Sequence, residues 1–84
     1  MKGIKLQWSK HVDQGEFWMR HGFRIGYNFL LEVDSSEREE FDEFLQTISS
    51  ARVLHVVKSS SRTYQLFVSV PDDNEAVQFK MSIL

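Results

Sequence analysis

Cysteine is absent from this 84-residue chain, proline occurs once and glycine four times. Without cysteine there can be no disulfide, thiolate zinc site, iron–sulfur cluster or thiol nucleophile. So little Gly and Pro, beside a hydrophobic fraction of 42% and an aromatic fraction of 13%, excludes a disordered or low-complexity composition. No apolar run approaches the roughly 20 residues of a membrane span. The opening residues Met1–Trp8 lack the apolar core of a signal peptide. A cytoplasmic location without membrane association is the resulting expectation. The signatures of catalysis are missing too: there is no Gly-rich phosphate loop, no nucleophile elbow and no HExxH. Neither a cofactor nor an enzymatic activity is expected.

What is present is one domain's worth of chain, residues 1–84, with room for a single core. Net charge is only −2, but it is segregated. Residues 1–24 carry five Lys/Arg against two acids, and residues 25–51 carry seven acids against Arg38. Residues 52–71 hold only Arg52, Lys58 and Arg62 as fully charged groups. Six of the twelve carboxylates fall within Asp34–Glu43.

Alternation with a period of two marks the strands. Ile4, Leu6 and Trp8 form a short first one. A long connection from Lys10 to Gly22 follows, containing Asp13-Gln14-Gly15 and the apolar triple Phe17-Trp18-Met19. In Phe23–Val33 the residues Phe23, Ile25, Tyr27, Phe29, Leu31 and Val33 share one face. The acidic stretch then reads as a helix: Asp34, Ser35 and Ser36 are N-cap residues, and Ser36 with Glu39 has the spacing of a capping box. Phe41, Phe44, Leu45 and Ile48 make its apolar stripe. Arg52–Lys58 is a third strand whose run Val53, Leu54, Val56 and Val57 suggests cover on both faces. Ser59–Arg62 is a hairpin loop, Thr63–Val70 a fourth strand, and Pro71-Asp72-Asp73-Asn74 a turn. Val77, Phe79, Met81 and Ile83 alternate as a fifth strand.

The expected fold is therefore α+β: an antiparallel five-stranded sheet in the order β-β-α-β-β-β, with one helix packed on one face. The alternative is a ferredoxin-like βαββ core, which requires a helix at the C-terminal end. Five strands span about 20 Å and one helix about 10–12 Å. A single helix would leave apolar sheet surface open. Curling of the sheet, the 17–19 loop, a homodimer or a different protein could cover it.

That uncovered surface, with the acidic helix, points to a small non-catalytic protein-binding module, an inhibitor or adaptor. By general type alone, such a chain suits inhibitors encoded by phages or mobile elements. The candidate partner-binding residues are Glu37, Glu39, Glu40, Asp42 and Glu43 on the helix, and Phe17, Trp18 and Arg20 in the long connection. Trp and Arg are frequent binding anchors. The same carboxylates have a simpler reading, because negative charge in a first helical turn is stabilised by the helix dipole. Single-stranded nucleic-acid binding is the second functional reading, since the basic first 24 residues hold Trp8, Phe17, Trp18 and Phe23. A dimeric domain binding a small regulatory ligand is the third. His11, Asp13, Glu16 and His21 could ligate a metal, but their spacing matches no compact ligand motif. No metal site is expected.

Overall fold

A computed structural model describes residues 3–12 and 25–84. The elements are β1 (Ile4–Val12), β2 (Gly26–Asp34), a 3-10 turn (Ser35–Glu37), α1 (Arg38–Gln46), β3 (Arg52–Lys58), β4 (Thr63–Val70) and α2 (Asp73–Ile83). The four strands form one sheet in the order β1-β2-β4-β3, with every neighbouring pair antiparallel. The expected five strands and one helix are thus four strands and two helices. β2 and β3 run parallel with β4 inserted between them, so β2-α1-β3 is a split βαβ unit. The C-terminal helix that the alternative required is present, and β1 adds the fourth strand from the N-terminal side.

The fifth strand fails because its alternation coincides with a helical pattern. Ala76, Phe79 and Ile83 are buried at i, i+3 and i+7, while Val77 and Met81 are exposed. Asp72 caps this helix by accepting the Glu75 N–H at 2.9 Å. Phe79 is the hub between helices and sheet. Its ring lies 4.9 Å from Phe29, 6.3 Å from Phe41 and 5.9 Å from Phe44. Ile4, Leu31, Val33, Leu66, Val68 and Val70 complete the helix-covered side.

Other local expectations shift as well. β1 continues to Val12, through residues assigned above to the connection, and its register slips between Leu6 and Trp8. Ile25 precedes β2 and is exposed rather than sharing its buried row. The capping box does not form: Asp34 is the cap of the 3-10 turn, accepting the Ser36 N–H at 2.9 Å and its hydroxyl at 2.7 Å. Two acceptor contacts from one carboxylate to the same residue outcompete the longer reach to Glu39. β2 starts at Gly26, whose φ of +105° suits glycine, and a Cβ there would lie 2.6 Å from Pro71 Cα.

Candidate functional site

The acidic residues divide between structural tasks and solvent. Asp42 accepts the Arg38 Nε–H at 3.2 Å, while the Arg38 guanidinium lies 5.1 Å from the centre of the Tyr64 ring. Glu37 ends the 3-10 turn and packs against Gly3. A carboxyl–carboxylate contact with Glu40, followed by desolvation and the Glu40 charge, raises the Glu37 pKa. Glu39, Glu40 and Glu43 are exposed on α1. Phe17, Trp18 and Arg20 lie outside the described residues, as do Asp13, Glu16 and His21. Among the described residues no group of three or more His, Asp or Glu side chains could hold a metal ion. No helix among them is long and apolar enough to cross a membrane.

The sheet face away from the helices is polar at one end. Gln7 donates to Glu32 at 3.4 Å, and Gln65 donates to Gln7 at 3.3 Å. Further along, Asn28 pairs with Ser69 across β2 and β4, and these residues are only 1% and 2% exposed. That face is closed to solvent at the end near Gly26 and Val70, while Leu30 and Phe67, paired in its middle, are half-buried.

β3 is exposed along most of its length. It was expected to be covered on both faces, yet it lies at the end of the sheet order. Val53, Val56 and Val57 are 43%, 40% and 40% exposed, although Val68 and Leu66, the cross-strand neighbours of Val53 and Val56, are fully buried. The register places Val53, Val56 and Lys58 on the helix side and Arg52, His55 and Val57 on the other. The physical cause is the placement of the helices: α2 packs across β1, β2 and β4, and its Phe79 draws Phe41 and Phe44 towards it. A register shift between Val53 and His55 leaves Leu54 as an extra residue. Beside it opens a depression of about 560 Å³ lined by Arg52, Val53, Leu54, Ser69 and Pro71.

Arg52 is anchored at the start of the strand, donating to the carbonyls of Ser49 at 3.0 Å and Ala51 at 2.8 Å. At the other end the Lys58 ammonium lies 6.0 Å from the Tyr64 ring centre. Sequence reasoning missed this edge because an apolar run broken only by His55 also describes a central strand. The available signal was the basic residue at each end, a frequent device of edge strands. No family model, curated protein or solved structure shows significant similarity to this chain, and its function is read from its own geometry.

Proposed function

We propose that this protein is a non-catalytic protein-binding module whose contact surface is the outer edge of β3. The observation that carries this reading is a seven-residue edge strand with three valines each at least 40% exposed. An edge strand offers a row of backbone N–H and C=O groups that an extended segment can pair with. The valines lie on both sides of that row, so an added strand would bury them while its backbone pairs. Main-chain pairing supplies affinity, and the side chains alternating above and below it supply selectivity. The register shift at Leu54 and the terminal charges limit indiscriminate pairing. The acidic face of α1 then serves solubility and helix electrostatics more than recognition.

Site-specific photo-crosslinking in native cells tests this. A photoreactive residue at position 56 is expected to give one saturable adduct, competed by unlabelled protein. The same residue at Gln78, on exposed α2, is expected to give none. Absence of an adduct at 56, or equal labelling at 78, overturns the reading.

A further inference from the structure

The charge of the β3 edge narrows the chemistry of its partner. Between Glu43 and Asp72 the sequence contains no carboxylate, and its charged residues are Arg52, Lys58 and Arg62. Within β3 the ionisable side chains are Arg52, His55 and Lys58, all of them exposed. A second copy on this edge would gather two Arg52 and two Lys58 side chains along one seam with no β3 carboxylate between them, which is electrostatically unfavourable. An edge of this composition therefore favours an acidic segment and disfavours self-association.

We propose that β3 accepts an extended, apolar segment of another protein that carries carboxylates at its ends. The segment adds as an outer strand and places those carboxylates beside Arg52 and Lys58. This rests on the reading of β3 as the contact edge and adds the partner's chemical class. Arg52 is already fixed by two backbone carbonyls, so its position is set before binding and little side-chain freedom remains to be lost. Lys58 and Arg52 point to opposite sides of the sheet. The favoured segment thus has its two acids on opposite sides of its own strand, which is a directional constraint. Val56 and Val57 take the apolar side chains between them.

The test uses the full chain and four blocked peptides of alternating valine and threonine. One has Glu at both ends, one has Lys, one has Gln, and the fourth is the Glu peptide with alternate amides N-methylated. Amide chemical shifts of the labelled protein report where each binds. The Glu peptide is expected to shift residues 52–58 and to bind at least about tenfold more tightly than the Lys peptide. That preference should shrink as salt rises from about 0.05 M to about 0.5 M. N-methylation should abolish binding. The double variant R52E/K58E, checked by its thermal melt, should prefer the Lys peptide. Equal binding of all three unmethylated peptides at 52–58 overturns the acidic partner but leaves the edge reading intact. Shifts elsewhere, or none, overturn both. A salt-sensitive homodimer through β3 in sedimentation overturns the argument against self-pairing, and the proposal with it.

Discussion

The Glu75 carboxylate accepts the backbone N–H of Ser49 at 3.0 Å, across 26 residues of chain. It also accepts the Ser50 N–H at 3.1 Å and the Ser49 hydroxyl at 3.1 Å. One side chain in the first turn of α2 thereby ties down the connection between α1 and β3. The contact matters for the proposed site because Arg52, anchored on the Ser49 carbonyl, begins the exposed strand immediately afterwards.

Glu75→Ala should lower the melting temperature by several degrees, more than Glu39→Ala on exposed α1. It strips the acceptor from two backbone donors at once. Amide exchange at Ser49 and Ser50 should accelerate more than exchange in β2. A uniform acceleration would mean that the clamp has no local role.

The same contacts give a direction to acid unfolding. Ser50 through its N–H, and Ser49 through its N–H and hydroxyl, hold the Glu75 carboxyl below its ordinary value. The Ser36 N–H and hydroxyl do the same for Asp34. A carboxylate with a lowered folded pKa contributes stability above its unfolded pKa, about 4.3 for Glu, and loses that contribution as pH falls through the folded value. Glu37, raised by Glu40, acts in the opposite sense: its contribution is present at low pH and disappears as pH rises through its folded value. Urea midpoints should therefore drop less between about pH 5 and pH 3 in Glu75→Gln than in the wild type. Identical drops would remove Glu75 from the account.

Phe79→Ala should cost about 3–5 kcal/mol and leave so small a domain largely unfolded. Phe79 is fully buried and meets Phe29, Phe41 and Phe44. Val77→Glu should change stability by less than about 0.5 kcal/mol, since Val77 is 56% exposed. This pair separates helix from strand in the C-terminal segment, because in a strand both side chains would share one buried face. Equal losses in chemical denaturation would restore the strand.

Gly26→Ala should destabilise the protein by about 1–3 kcal/mol. The positive φ is unfavourable for alanine, and the new methyl group would press on the Pro71 backbone, which is less able to move than a side-chain tip. A neutral result in denaturant titration would show that the β2 start and the Pro71 turn can separate.

Triple replacement of Glu39, Glu40 and Glu43 by Ser should leave crosslinking at position 56 unchanged. These carboxylates lie on α1, and the proposed contact is on β3. Loss of the adduct in a folded triple variant would return the acidic helix to the binding surface.

Where local pattern and final burial agreed, the sequence was readable. The Phe29, Leu31 and Val33 row, the apolar residues Phe41, Phe44 and Leu45 of α1, and the 59–62 hairpin loop lie where periodicity and turn chemistry place them, whereas Ile48, expected on the same helix, is buried just beyond its end. In the C-terminal segment, two apolar residues face solvent and complete a false alternation. Val77 and Met81, exposed on α2, made Phe79 and Ile83 look like members of a strand row. In Arg52–Lys58 the strand itself was legible, but its exposure was not.

The amino-acid sequence by itself determined the absence of thiol chemistry, the α+β class and the separation of acidic from basic segments. Each follows from composition or from contacts a few residues apart. Tertiary structure decided that β3 became an edge strand. Sheet order depends on the path of the β2-α1-β3 crossover, on β4 inserting between β2 and β3, and on Phe79 drawing α1 and α2 together. Those are contacts between distant segments, and they leave the valines of β3 partly exposed between two basic residues.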